Sequence, residues 1–255
     1  SHHLDFVVER SVLTEGWISA DFHVHAAPSH DSGVPLDDRV RSMASEGVEF
    51  FAATDHDVIT DYAPVIEALG AGAELTSLIG IELTTFDYGH FNGFPLQRDA
   101  ESRNGGAFDW AGGDGPGRAP KDIFAWMNDQ PGPQVVQINH PDGGYFGAIR
   151  ADVLAGTSDV DPAQYRIPPE AVDPVSGLWD EGFNAIEVMN GFGQASFFGR
   201  ARWWLTMVGR GFKPTGTAVS DTHNQLKDQG GGPRTYVWVG EGRDTAAAFD
   251  RAAFV

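Results

Sequence analysis

Cysteine is absent from this 255-residue chain. No disulfide framework and no thiolate zinc site can form without it. Positive charge is scarce as well: 17 Lys and Arg stand against 36 Asp and Glu, a formal net charge of −19. That field repels a polynucleotide backbone, so no nucleic acid is expected as a partner. Runs of about 18 or more apolar residues are missing, so no membrane-spanning helix and no membrane partner are expected. No signal-peptide pattern opens the chain and no internal repeat is visible. Ser1-His2-His3 reads as the remnant of a purification tag, which sets those two histidines aside. Residues 1–15 are then tag remnant and leader, and 16–255 are expected to form a single domain.

What is present suits a globular α/β protein. Hydrophobic residues make up 41%, with 17 Phe and 7 Trp, and a chain of this size hides roughly 70–75% of its unfolded surface. Short β-branched or aromatic runs predict strands at 16–25, 48–57, 75–85, 134–142, 183–191, 215–224 and 234–240. A further short strand at 89–96 follows a hairpin-like turn at Asp87–Gly89. Helices are expected at 36–47, where Leu36, Val40, Met43 and Ala44 share a face, and at 60–72, 121–129, 195–211 and 244–253. Residues 97–118 read as a long surface loop, and 143–182 as an irregular insertion with room for one short helix. Strands alternating with helices imply mainly parallel pairing in a closed or nearly closed barrel. In such folds sites form at the C-terminal ends of the strands.

Polar residues gather at those ends. "DFHVHAAPSHDS" (21–32) puts three histidines and two aspartates within eleven positions, just after a short apolar stretch. Away from the tag, the histidines are His23, His25, His30, His56, His90, His140 and His223, each at or just after a strand end, apart from His90, which opens one. A lone histidine is more often a surface or hydrogen-bonded residue; seven on one edge of one sheet point to metal. Carboxylates accompany them: Asp21 and Asp31, Asp55 and Asp57, Glu82, and Asp221. In "HVH" and in "DTH" the paired groups are two residues apart on a strand, so both face one side and can hold one ion. Imidazole with carboxylate suits zinc, manganese or iron(II). So many ligands would over-supply one ion, which leads to two or three divalent ions. Clustered ions convert water to hydroxide near neutral pH, the chemistry of a hydrolase.

The ordered motifs "DFHVH" (21–25), "ATDHD" (53–57), "GIE" (80–82), "GHF" (89–91), "NHP" (139–141), "EVMNG" (187–191) and "SDTH" (220–223) resemble the PHP family, the polymerase and histidinol phosphatase domain. Within it, "HVHAAPSHDS" followed by "VPLDDRV" is most similar to the carbamate-ester hydrolases of the CehA/McbA type, a branch that often carries an additional upstream domain. The resemblance implies a distorted (β/α)7 PHP-type barrel with the metal site at the C-terminal ends of the strands. It also implies a ligand set. His23 and His25 would bind the first ion with Glu82 and Asp221. Glu82 would bridge to a second ion held by His90 and His140. A third would take His56, His223 and a ligand from the "PSHDS" loop, with Asp31 favoured over His30.

Around this set several roles stay open. Asp55 and Asp57, flanking His56, either orient its ring or cap the following turn; Asn190 either touches a ligand or holds its loop. These three are the candidates for catalytic work. Trp203 and Trp204 sit at core spacing, whereas Trp179, Phe192 and Tyr145 in Gly-rich loops are candidate substrate walls. The expected substrate is a small-molecule ester, and oligomeric state is not addressed. Phosphoester cleavage stands slightly ahead of carboxylic or carbamic ester cleavage. Scarce arginine near the motifs (Arg150, Arg200 and Arg234 are nearest) weakens recognition of a phosphate monoester. A nuclease or accessory role is opposed by the charge.

Overall fold

The structure, a computed structural model, describes residues 14–86, 88–112, 117–132, 134–145, 180–209, 211–250 and 254. The elements among them are β1 (Trp17–Asp21), α1 (Leu36–Ser45), β2 (Phe50–Ala52), α2 (Ala63–Ala68), β3 (Thr76–Leu78), β4 (Ile81–Thr85), β5 (Gly89–Phe94), α3 (Pro120–Asn128), β6 (Val135–Ile138), β7 (Ala185–Asn190), α4 (Gln194–Gly209), β8 (Thr215–Val219) and β9 (Thr235–Trp238). Two sheets result, with strand orders β3-β2-β1-β9 and β4-β5-β6-β7-β8. The expected closed or nearly closed barrel is not found among the described residues.

Pairing is mixed where mainly parallel pairing was expected. The β1–β2, β2–β3, β6–β7 and β7–β8 ladders are parallel. The β1–β9, β4–β5 and β5–β6 ladders are antiparallel. The connection from β4 to β5 is too short for the crossover that a parallel pair needs. Isolated bridges tie the two sheets together beyond their ladders. Val24 pairs with Thr222 and His56 with Glu82, both parallel, and Thr60 pairs with Gly80 antiparallel.

The single strand expected at 75–85 breaks in two, and its halves join different sheets. Gly80 lies at the break. A Cβ there would sit 2.7 Å from the Ala53 carbonyl oxygen and 2.9 Å from that of Gly93, so only glycine lets the chain pass between the sheets. The helix expected at 60–72 is confined to Ala63–Ala68, with Pro64 in its first turn and Gly70 at φ +67° beyond its end. The helix expected at 244–253 is not formed by residues 244–250, which make turns and bends; 251–253 lie outside the described residues. Phe249 and Phe254 both pack on the Phe50 ring, at 4.6 and 5.0 Å between centroids, which draws this segment inward. Most of the 143–182 insertion also lies outside the described residues.

Three apolar clusters support the strand ends. Val40 and Met43 of α1 and Ile66 of α2 cover Val24, Phe51 and Leu75. Ile123, Phe124 and Met127 of α3 cover Ile81, Phe91, Ile138 and Ile186. The third joins both sheets: Ile18, Ala20, Phe22, Phe50, Ala52 and Leu78 from the first meet Phe94 and Val219 from the second. Burying each such Phe, Ile or Leu contributes about 1.5–3 kcal/mol, so the seam between the sheets is a true core. No helix among the described residues is long and apolar enough to cross a membrane.

Candidate metal centre

Most of the candidate ligands follow the end of a strand, whereas Glu82 and His90 lie near the starts of β4 and β5. His23 and His25 follow β1, His56 follows β2, Glu82 lies in β4, His90 in β5, His140 after β6, and Asp221 and His223 after β8. His140 and Asp221 adopt positive φ, +25° and +54°, as does Asp57 at +56°. Left-handed backbone at residues other than glycine costs about 1–3 kcal/mol each and gathers at functional sites.

The side chains converge in three groups: His23, His25 and Asp221; His56, Glu82 and His90; and His25, His56 and His223. Within each, one ligand atom per residue lies within 4.8 Å of the others. Glu82 stands in the middle. Its Oε1 is 3.2 Å from His23 Nε2, 3.2 Å from His90 Nδ1 and 3.6 Å from His140 Nε2. Its Oε2 is 3.3 Å from His25 Nε2 and 2.9 Å from His56 Nδ1. Asp221 Oδ1 lies 3.2 Å from His23 Nε2 and 3.4 Å from His25 Nε2. In the "PSHDS" loop it is Asp31 whose carboxylate reaches the cluster, 3.3 Å from His56 Nε2 and 3.2 Å from His223 Nε2. His30 is exposed, its ring 5.0 Å from that of His56. The grouping differs from the ligand set implied by resemblance: His25 joins His56 and His223 as well as His23, His56 joins Glu82 and His90, and Asp31 and His140 fall in none of the three groups.

Three atoms test whether this donor set fits ions. His23 Nε2, His25 Nε2 and Glu82 Oε2 are buried without a hydrogen-bond partner, although carboxylate or imidazole atoms surround them. Buried polar atoms left in this state are costly, and a bound cation would satisfy them. Divalent ions such as zinc, manganese or iron fit this all-nitrogen-and-oxygen set.

The electrostatics follow from burial and mutual charge. Burial opposes charge on His23, but Asp221, Glu82 and Glu187 outweigh it and hold its pKa well above the usual value. Burial dominates at His25, holding it down to about 4 against the pull of Asp221 and Glu82. Burial would raise Glu82, yet His23, His140 and His56 keep it well below the carboxylate range. Asp221 is likewise depressed against its burial by His23 and His25. Two depressed carboxylates, Glu82 and Asp221, therefore face the imidazoles as the anionic side of the site.

A layer of buried polar groups supports the ligands. Glu187 Oε1 lies 2.6 Å from His23 Nδ1. Asn139 Nδ2 donates to Glu82 Oε1 and to Asn92 Oδ1, both at 2.7 Å. Gln137 Nε2 donates to Asn139 and Glu187, and Thr217 donates to Gln137. Asp21 receives the backbone N–H groups of Ser220 and Gly231, joining the first and last loops of the site. Arg39, fully buried on α1, donates to the carbonyl oxygens of His25 and Thr222. Sequence reasoning did not single out Glu187, Asn139, Gln137, Thr217 or Arg39. The only signal for Glu187 was its place in "EVMNG", where Asn190 drew attention instead.

The three candidates for catalytic work are engaged as follows. Asp55 is buried and accepts from Ala26 N–H, the Ser29 hydroxyl and the Tyr62 hydroxyl. Ser29 Oγ lies 3.0 Å from His25 Nδ1. Asp57 accepts from the Thr84 N–H and the Trp110 indole. Asn190 donates to Glu187 at 3.0 Å and to Asp221 at 3.1 Å. Of the candidate walls, Phe192 is 67% exposed and Trp179 lies outside the described residues. Tyr145 is instead a core residue, fully buried against Phe91 and Phe124. Trp203 and Trp204 pack on the core, as their spacing predicts. Arg200 pairs with Asp142 at 2.7 Å, Arg234 binds the carbonyls of Gly231, Gly47 and Glu46, and Arg150 lies outside the described residues.

No protein-family model and no curated protein matches the chain. Solved structures do. A two-domain protein from Bacteroides vulgatus, described as containing a predicted PHP-like metal-dependent phosphoesterase, is 20% identical over 89% of this chain, with a TM-score of 0.51. This chain spans 59% of that protein's length. An amidohydrolase from Chromobacterium violaceum, with bound sulfate and no metal, is 15% identical over 83% of this chain and 89% of its own, with a TM-score of 0.50. A structure from Bifidobacterium adolescentis described as a metal-dependent phosphoesterase is 16% identical over 89% of this chain and 91% of its own, at 0.49. At these identities the likeness to the first two is one of fold alone.

Proposed function

We propose that this protein is a metal-dependent hydrolase of the PHP type, one domain across residues 16–255, acting on a small-molecule ester at a centre of two or three divalent ions. One observation carries the reading: three buried polar atoms, His23 Nε2, His25 Nε2 and Glu82 Oε2, have no hydrogen-bond partner, and the two histidine nitrogens converge on Asp221. The bridges Val24–Thr222 and His56–Glu82 support a distorted (β/α)7 barrel as the parent architecture of the two sheets.

When bound, divalent ions supply hydroxide at neutral pH and offset charge on the attacking and leaving oxygens. The chain's own groups do the rest. Glu82 and Asp221 provide anionic oxygens between the histidine clusters. Glu187, Asn139, Asn190 and Ser29 hold the ligands in place, and Asp55 and Asp57 fix the loops that carry them. Phosphoester cleavage is the favoured reaction, in keeping with the naming of the Bacteroides neighbour, which is an analogy of fold. The second reading, carboxylic or carbamic ester cleavage, has an observation of its own: Arg39 and Arg234 direct their guanidinium groups to backbone carbonyls, and Arg200 directs its Nε to Asp142. A neutral substrate needs none of them, whereas a phosphate monoester usually recruits such a group.

Plasma mass spectrometry on protein purified without chelator, together with turnover of p-nitrophenyl phosphate, bis-p-nitrophenyl phosphate, naphthyl acetate and a naphthyl carbamate, tests both. Two or three ions per chain, lost together with activity in chelator, are expected. Preference for the acetate or carbamate would replace the phosphoester reading with the second. Activity unchanged in a protein without ions would overturn the metal centre itself.

A further inference from the structure

Glu187 is a fully buried carboxylate that belongs to none of the three ligand groups, yet it touches a ring of one of them, His23, and the backbone of a further candidate ligand, His140. One oxygen, Oε1, lies 2.6 Å from His23 Nδ1 and accepts from Gln137 at 3.3 Å. The other, Oε2, accepts the backbone N–H of His140 at 2.6 Å and the Asn190 amide at 3.0 Å. That amide also donates to Asp221 at 3.1 Å. A single carboxylate therefore contacts one ligand ring from behind, pins the strained turn of a second candidate ligand at φ +25°, and steers a third through one intermediary.

We propose that Glu187 is the positioning residue of the centre. It holds His23 as the tautomer protonated at Nδ1, so that Nε2 presents its lone pair beside His25 and Asp221, and it locks that group in register with His140. The inference rests on the metal-centre reading. Its physical basis is general: a histidine that binds a metal through one nitrogen donates its other N–H to an acceptor, which fixes ring orientation and raises ligand basicity. A carboxylate is the strongest such acceptor. Here its second oxygen is used to align the opposite side of the site, which a backbone carbonyl in the same place would not do.

The Glu187→Gln variant keeps the size of the side chain but has one acceptor oxygen in place of two. Either His23 Nδ1–H or the pair of N–H groups from His140 and Asn190 then loses its acceptor. Zinc titration of the metal-free variant, with competition by a chelating dye, is expected to show one binding step weakened by about 10–100-fold, with an unchanged far-ultraviolet circular dichroism spectrum. Cobalt substitution is expected to give a d–d spectrum altered from that of the parent. A folded variant with parental zinc affinity and cobalt spectrum overturns the proposal. Should the variant not fold, nitrogen-15 NMR of the zinc-loaded parent decides it: the His23 ring must carry its proton on Nδ1, and a proton on Nε2 refutes the assignment. Failure of the parent to bind zinc at all is a separate result, which removes the metal centre and not merely this role within it.

Discussion

Glu82 and His56 meet twice. Their backbones form an isolated parallel bridge between the two sheets, and Glu82 Oε2 lies 2.9 Å from His56 Nδ1. The junction that joins the sheets is thus also the junction that joins the ligand groups, because Glu82 further reaches His23, His25, His90 and His140. A centre so arranged cannot assemble unless both sheets are in register, which couples metal binding to folding.

Glu82→Gln tests that central place. The substitution keeps the volume and removes the anion from beneath the cluster. Ion content is expected to fall by at least one per chain and ester turnover by at least about 100-fold, the upper end of what loss of a group outside the ligand sphere costs. Retention of the full complement of ions would show that the histidines alone suffice.

Removing the ions should be visible in stability. A ligand present at about 100 times its dissociation constant stabilises the folded state by about 2.7 kcal/mol. For a domain of this size, where each kcal/mol moves Tm by about 2–4 °C, chelation is expected to lower Tm by roughly 5–10 °C. Scanning calorimetry before and after chelation, with zinc or manganese added back, measures it. An unchanged Tm would mean that the buried lone pairs are met by something other than ions.

Gly80→Ala probes the passage of the chain from β3 to β4. The new methyl group would meet two backbone oxygens at 2.7 and 2.9 Å, neither of which can swing aside. Overpacking of this kind costs about 1–3 kcal/mol. Urea denaturation is the measurement, and because Glu82 lies two residues on, ion affinity is expected to weaken in parallel.

That glycine also marks where the sequence stops being legible. "LTSLIGIELTT" reads as one strand because its apolar residues run on without a turn signal, and nothing local reveals that Ala53 and Gly93 press against the backbone at residue 80. The ligands were legible for the opposite reason: His23, His25, His56, His90, His140 and His223 each interrupt or end an apolar run, where a polar side chain has no packing role. Their supports were not. Gln137, Glu187 and Thr217 sit inside strands, where polar residues are read as facing water, and only the pairing of β6, β7 and β8 shows that they point inward to one another. Arg39 lies beside Val40 on α1 and is turned into the core, which its charge alone does not suggest.

Protons must leave when ions bind. His23 is held above its usual pKa by Asp221, Glu82 and Glu187 against its burial, and His56 and His140 are also raised against theirs, chiefly by Glu82. These rings hold their protons to higher pH than a free imidazole and must release them to coordinate. His25, held down to about 4, is already uncharged near neutral pH and releases none. The sign follows: affinity rises with pH as long as the raised histidines remain protonated, and falls below it. Calorimetric zinc titration at pH 7 in two buffers of different ionisation heat is expected to show a net release of protons. Affinity independent of pH between 6 and 8 would contradict the assignment.

Arg39→Met separates the scaffold of the site from its ligands. The Arg39 side chain is fully buried, with Nε donating to the His25 carbonyl at 2.7 Å, Nη1 to Thr222 Oγ1 at 2.9 Å and Nη2 to the Thr222 carbonyl at 3.3 Å. Methionine fills the space of the stem but leaves those acceptors unpaired, at about 1–3 kcal/mol for each that stays dry. A loss of about 3 kcal/mol, or roughly 6–12 °C in Tm, is expected. The two pinned carbonyls belong to His25 itself and to the residue between Asp221 and His223, so their release loosens ligands that Arg39 never touches with its charge. Zinc affinity measured well below the lowered Tm should therefore also weaken, and Arg39→Lys, with a single ammonium in place of a fork, should fall between the two. Parental affinity in a destabilised Met variant would confine Arg39 to holding the fold together.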